Sequence, residues 1–120
     1  MKKLLFLIFF PFSLLSQTID HWETAVFEND YWKYYVGISE PDSNWRTVSF
    51  NDSLWQNGQG GFGYGDGDDA TIVPNAMSVF IRNTFEIDSA DDILEFLLHI
   101  DYDDAFVAYL NGIEIARNKL

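Results

Sequence analysis

Residues 105–117 read AFVAYLNGIEIAR, and this stretch decides the fold class. Two short apolar runs, 105–110 and 113–117, are separated by the dipeptide Asn111-Gly112. Asn-Gly favours a type I′ turn, because both central residues of that turn take positive φ. The stretch therefore predicts a β-hairpin.

The rest of the chain after residue 17 also has the pattern of strands and turns. Apolar residues show no sustained 3.6-residue period, and turn residues separate short apolar or alternating runs. In residues 78–87, Val79 and Ile81 share one face while Arg82 lies on the other. About seven short strands at this spacing predict an all-β fold, an antiparallel β-sandwich of the jelly-roll kind. Besides the hairpin, the pattern predicts strands at 24–27, 32–36, 45–50, 78–87 and 93–100, one helical turn at 51–55 and a glycine-rich loop at 56–69.

The composition excludes several functional classes. The 120 residues carry 19 Asp and Glu against 7 Lys and Arg, a net charge of -12, and no Cys. Nucleic-acid binding is disfavoured, because it needs cations to neutralise phosphates. Disulfides, thiolate metal sites and Cys nucleophiles are excluded outright. The sequence also shows no pattern of a catalytic nucleophile, zinc protease or phosphate loop, so we expect a non-catalytic domain.

Residues 1–16 have the pattern of a secretory signal peptide. Lys2 and Lys3 precede an apolar run at 4–15, and a polar stretch opens at Ser16-Gln17. The alternative, a membrane anchor, needs about 20 apolar residues. We therefore expect an exported protein, extracellular or at the cell surface, without a membrane span. Loss of the signal leaves five basic residues against 19 acidic ones, a net charge of -14.

The glycine-rich loop contains a candidate metal site, Asp66, Asp68 and Asp69. Carboxylates are hard oxygen ligands, and the neighbouring glycines let backbone carbonyls join them, which favours Ca²⁺. The alternative is a solvated acidic turn. Residues 58–63 match the pattern GxGxxG, but no apolar strand precedes them and no helix follows, so a dinucleotide site is disfavoured.

Two further features are candidates for ligand contact. Asp101, Asp103 and Asp104 form a second acidic cluster between two predicted strands, at a loop position where ligands often bind. The alternative is an ordinary polar turn. Trp22 lies in the polar lead-in segment, residues 17–29, where an exposed ring would be able to stack on a sugar.

Five segments together resemble a known module, the galactose-binding-like jelly-roll domain at the amino terminus of exported multidomain bacterial proteins. These proteins include CotH-type, lamin-tail and metallophosphoesterase-containing chains, and the module is also similar to the sugar-binding jelly roll of family 2 glycoside hydrolases. The resemblance covers residues 30–117, with the glycine-aspartate segment and the Leu110-Asn111-Gly112 turn as its specific parts. The matching segments are 32–35, 45–55, 61–71, 80–85 and 101–117.

The resemblance implies a non-catalytic accessory or binding module, with carbohydrate as its expected partner and further domains downstream in the same polypeptide. It also implies a structural Ca²⁺, which would suit Asp66, Asp68 and Asp69. Two alternatives are a calcium-stabilised spacer and a domain that shapes the substrate cleft of a downstream enzyme: a CotH-like kinase, a phosphoesterase or a glycosidase. Because the chain stops just after a predicted strand, we expect the sandwich at 30–120 to be incomplete; a complete small domain with a frayed end is the alternative.

Overall fold

The computed structural model describes residues 17–74 and 77–119, and within them the chain is mostly β. The predicted signal peptide lies outside these residues. No helix in the described ranges has the length and apolar character that crossing a membrane requires. The strands are β1 (Tyr31–Gly37), β2 (Gln56–Gln59), β3 (Phe62–Gly63), β4 (Thr71–Ile72), β5 (Ser78–Arg82), β6 (Phe106–Leu110) and β7 (Ile113–Asn118), with short 3₁₀ turns at Ser43–Arg46 and Ala90–Asp92.

The largest sheet has three antiparallel strands in the order β2-β1-β5. Tyr35 lies opposite Phe80, and Lys33 lies opposite both Arg82 and Asn57. Since successive side chains of a strand point to opposite sides, these residues define one side of the sheet, here called the aromatic face. Trp32, Tyr34 and Gly58 define the opposite side, here called the loop face.

A cluster of aromatic rings packs over the aromatic face. Trp45, from the first 3₁₀ turn, has its ring centroid 5.4 Å from that of Phe80 and 6.1 Å from that of Trp55. Trp55 in turn lies 5.6 Å from Tyr35. Tyr109 of β6 contacts Trp45 edge-on at 5.9 Å, which attaches the β6–β7 hairpin to the cluster. Trp45 and Trp55 are both half-buried in this cluster.

The predicted β-hairpin is confirmed. β6 and β7 pair antiparallel, with Leu110 opposite Ile113, and a register shift follows Ala108. Asn111 has φ 51° and Gly112 has φ 83°, the two positive values that a type I′ turn requires. A Cβ added at Gly112 would lie 3.9 Å from the backbone carbonyl oxygen of Arg46, so the turn lies beside the first 3₁₀ segment.

Several predicted strands are wrong. Residues 93–100 form no strand: they pair with no other strand in the described part of the chain, and Phe96 is 61% exposed. The segment 45–50 begins in a 3₁₀ turn, since the Asp42 side chain accepts a hydrogen bond from the Asn44 amide and the Thr47 hydroxyl bonds the Asn44 carbonyl. Residues 24–27 lie outside any strand, and the predicted glycine-rich loop instead includes β2 and β3.

The predicted length of β5 is corrected, since the strand ends at Arg82 instead of continuing to residue 87. Val79 and Ile81 share one side of the sheet and Arg82 lies on the other, as predicted. The Arg82 side chain is only 10% exposed, because it finds hydrogen-bond acceptors there: its Nε donates to Asp52 at 3.0 Å and its Nη1 to the Thr47 carbonyl at 3.0 Å.

Candidate functional site: the aspartate loop

The loop between β3 and β4, residues 64–70, is closed at its base by two parallel strands and is here called the aspartate loop. The amide of Thr71 donates to the Gly61 carbonyl at 2.9 Å, and the amide of Val73 donates to the Gly63 carbonyl at 2.9 Å. Val73 is the apolar residue of the described chain with the least exposure, 3%. The ends of the loop are thus fixed beside the best-buried point of the molecule.

The aspartate loop is anchored on the loop face of the sheet. The ring of Phe62 lies 5.2 Å from that of Tyr34, with the planes inclined at 55°. Thr71 donates its hydroxyl to the Gln59 carbonyl at 2.6 Å, across to β2. These contacts hold the two ends of the loop against β1 and β2, so the carboxylates project from an ordered base.

Asp66, Asp68 and Asp69 come together as predicted. Each offers a carboxylate oxygen, and these oxygens all lie within 4.8 Å of one another. Asp66 and Asp68 are exposed and Asp69 is half-buried. Gly65 and Gly67 take φ of 92° and 83°, a region in which a side chain is strained, and they turn the chain between the aspartates.

The carboxylate of Asp69 rests directly against the backbone of Gly63. A Cβ added at Gly63 would lie 2.2 Å from Asp69 Oδ1, far inside van der Waals contact. Glycine at this position therefore gives the Asp69 carboxylate room to face the other two acids. The site therefore needs glycine at position 63, and nothing in the sequence distinguishes this glycine from its neighbours.

The three acids affect one another's ionisation. Hydrogen bonding to Asp68 and then to Asp69 lowers the pKa of Asp66. Partial desolvation, together with hydrogen bonding to Asp66 and the charges of Asp66 and Asp68, raises the pKa of Asp69. The cluster therefore disfavours full ionisation in the absence of a counter-ion.

The donor set suits a hard divalent cation. Ca²⁺ takes six to eight oxygen ligands at about 2.3–2.6 Å, so oxygens on opposite sides of one ion are at most about 5 Å apart. The carboxylate oxygens of the three aspartates all lie within 4.8 Å of one another, so small movements of these side chains would let one ion contact all three. Backbone carbonyls of the loop and water would complete the coordination. The GxGxxG match at residues 58–63 spans the end of β2 and all of β3, and the next element along the chain is β4.

The second acidic cluster is not assembled in this way. Asp101, Asp103 and Asp104 are all exposed, and in the described ranges only the aspartate loop brings three acidic ligand atoms within reach of one ion. Asp104 takes φ 70°, and the Ala105 amide donates to the Asp103 carbonyl at 3.1 Å. This geometry is that of a tight polar turn leading into β6.

Trp22 lies in the lead-in segment and is 56% exposed. Its exposure agrees with the prediction, while its contact with a sugar stays a prediction. The adjacent His21 shares hydrogen bonds with Glu23 at 3.1 Å and Asp20 at 2.6 Å, and these bonds to Glu23 and Asp20 raise the pKa of His21.

No protein-family model matches this chain, and no curated protein or solved structure matches it either. The candidate site accordingly rests on its own geometry. The fold and the site together define a mostly β protein that carries a carboxylate loop suited to a divalent cation.

Proposed function

We propose that this chain is a non-catalytic, exported accessory module whose aspartate loop binds a structural calcium ion. The observation that carries the proposal is the convergence of Asp66, Asp68 and Asp69, whose ligand oxygens lie within 4.8 Å of one another. Calcium at this loop would neutralise the mutual repulsion of the carboxylates and stiffen the connection between β3 and β4.

The finer architecture that we propose is an antiparallel sandwich of the galactose-binding-like jelly-roll kind. Elements pack on both sides of the three-stranded sheet, which supports a layered arrangement. The aromatic face carries Trp45 and, through it, Tyr109 of the hairpin. The loop face carries Phe62 of β3. The resemblance over residues 30–117 agrees with this arrangement, and so does the hairpin at its carboxy-terminal end.

The proposed role outside the cell is glycan binding on behalf of a larger surface or secreted protein. The signal-peptide pattern of residues 1–16 supports the location, and exposed aromatic rings such as Trp22 support contact with sugars. Two alternatives keep the bound calcium ion but not glycan binding: a structural spacer, and a domain that shapes the substrate cleft of a downstream enzyme. Deleting the module would alter activity on large substrates only in the second alternative.

Thermal melting with and without calcium tests the proposal. We expect Ca²⁺ to raise the Tm of the purified chain and EDTA to reverse the effect. At a concentration 100 times Kd, one site that binds only the folded state adds about 2.7 kcal/mol to the free energy of unfolding. Asp66→Asn combined with Asp69→Asn should abolish the response to calcium.

The matched control is Asp101→Asn combined with Asp103→Asn, which removes the same number of charges from the exposed turn before β6. This control should keep the full calcium response. A melt that EDTA leaves unchanged, or an equal loss of response in both double variants, would contradict a site in the aspartate loop.

A further inference from the structure

A depression of about 400 Å³ lies on the aromatic face of the sheet and shares no lining residue with the aspartate loop. Its walls come from all three strands of the sheet, from residues 48–52 and from the segment after β5. The volume lies in the range of about 300–1,000 Å³ that is usual for small-molecule sites. Its polar and aromatic lining includes Tyr31, Lys33, Asp52, Asn57, Arg82 and Asn83, and Asp52 is the acceptor that pairs with Arg82.

A row of polar side chains crosses the floor of the depression. Lys33 of β1 lies directly opposite Asn57 on one neighbouring strand and Arg82 on the other. Directly opposed residues on one face of a sheet have Cβ atoms about 4.5–5.5 Å apart. The row therefore places an ammonium group and an amide close enough to contact one small ligand.

The two cationic side chains of this row, Arg82 and Lys33, differ in whether they already have partners in the protein. Arg82 is already bound to Asp52 and to the carbonyls of Trp45 and Thr47. Lys33 has no ion pair or side-chain hydrogen bond within residues 17–74 and 77–119, although the chain is strongly acidic. Its three donors are thus available to a ligand.

Tyr31 provides an aromatic surface at the rim of the depression. It is 71% exposed and its ring packs on no other ring among the described residues. Tyr31 and Lys33 are two apart on β1, so both point to the same side of the sheet. An exposed aromatic ring beside polar groups suits a ligand with one apolar face and several hydroxyls.

We propose that this depression binds one pyranose unit of a neutral polysaccharide, with the sugar face against Tyr31 and its hydroxyls bonded by Lys33, Asn57 and Asn83. The inference deepens the proposed glycan-binding role and rests on it. Amide side chains both donate and accept hydrogen bonds, as sugar hydroxyls do. A neutral polymer is favoured because the chain has a net charge of -12, which repels a polyanion.

The test measures binding of the full chain, in calcium, to soluble galactan, xylan, mannan and β-glucan by affinity electrophoresis, with polygalacturonate as the anionic contrast. We expect retardation by at least one neutral polymer. Tyr31→Ala should weaken that binding by about tenfold or more, as expected for loss of an aromatic anchor, and Tyr31→Phe should retain it. Lys33→Met should weaken it without changing the Tm.

Phe96→Ala is the matched control, because Phe96 is also exposed but does not line the depression. It should bind as the unmodified chain does. Loss of binding in Trp22→Ala but not in Tyr31→Ala would overturn the site and leave the glycan-binding role standing. Failure of the unmodified chain to bind any of the polymers would overturn both, and binding to polygalacturonate alone would overturn the neutral ligand.

Discussion

The guanidinium of Arg82 joins β5 to the segment that carries the aromatic cluster, so replacing it should separate the two. Its Nε donates to Asp52 Oδ2 at 3.0 Å, and its Nη1 donates to the carbonyls of Trp45 and Thr47. The guanidinium carbon also lies 5.1 Å from the centre of the Phe50 ring. Arg82→Met introduces an apolar side chain of similar length and removes every one of these donors.

The size of the effect follows from burial. The Arg82 side chain is 10% exposed and that of Asp52 is 27% exposed, so water replaces the lost donors poorly. A hydrogen bond to a charged group contributes about 1.5–3 kcal/mol, and removing one partner of a buried ion pair costs about 3–5 kcal/mol. Since Asp52 keeps some contact with solvent, we expect Arg82→Met to lower the free energy of unfolding by about 2–4 kcal/mol.

Arg46 provides a matched control in the same region. It pairs with Glu40 and lies 4.7 Å from the centre of the Tyr109 ring, but its side chain is 29% exposed and that of Glu40 is 46% exposed. Solvent screens a pair this exposed, so Arg46→Met should lower the free energy of unfolding much less than Arg82→Met does. Arg82→Lys, which keeps the charge but loses the fork geometry, should fall between the two.

Urea unfolding followed by tryptophan fluorescence measures all three variants, since Trp45 and Trp55 sit in the cluster that Arg82 holds. The m-value should stay unchanged while the midpoint falls. If the free energies of unfolding of Arg82→Met and Arg46→Met fell by the same amount to within about 0.5 kcal/mol, burial of Arg82 would add nothing to stability. The reasoning from burial would then be wrong.

Three further predictions address the loop, the acid response and the hairpin. Gly63→Ala should abolish the calcium-dependent rise in Tm in a melting experiment while the chain stays folded, because the new Cβ would displace the Asp69 carboxylate; a normal calcium response would refute this contact. Hydrogen bonds from Arg46 and then Trp45 lower the pKa of Glu40, so its contribution to stability is present above about pH 4.3 and is lost as the pH falls; Glu40→Gln should flatten the acid limb of a Tm-against-pH curve. Gly112→Ala should cost about 1–2 kcal/mol in urea unfolding, because alanine is strained at φ 83° although its Cβ would make only ordinary van der Waals contacts, and an unchanged midpoint would contradict the turn geometry.

Local signals in the sequence predicted the parts of the fold that local physics determines. Asn111 and Gly112 specify their turn by backbone preference alone, and the structure has the hairpin where the dipeptide places it. The segment 93–100 has an equally apolar pattern, yet a strand also needs a hydrogen-bonded neighbour. Whether a neighbour exists is a property of the whole arrangement, which periodicity does not contain.

The candidate site was predictable from the sequence only in part. Three aspartates within four positions of a glycine-rich loop already indicated a cation, and the structure brings their oxygens together. The role of Gly63 was not predictable, because it depends on how Asp69 folds back across the loop. Lys33 and Asn57 are far apart in the sequence and become neighbours only through the register of β1 and β2.

The opposite sides of the three-stranded sheet solve the same stability problem by different means. The chain has no Cys, and Val73 is the apolar side chain of the described residues that approaches complete burial. On the aromatic face, Arg82 compensates by binding the Trp45 and Thr47 carbonyls, which fixes a half-buried aromatic cluster that burial alone would hold weakly. Among the described residues of the loop face there is no such cation beside the aspartate loop, and three carboxylates that repel one another face each other instead. A bound calcium ion would supply the positive charge that the arginine supplies on the other side, and it would do so only while the ion is present.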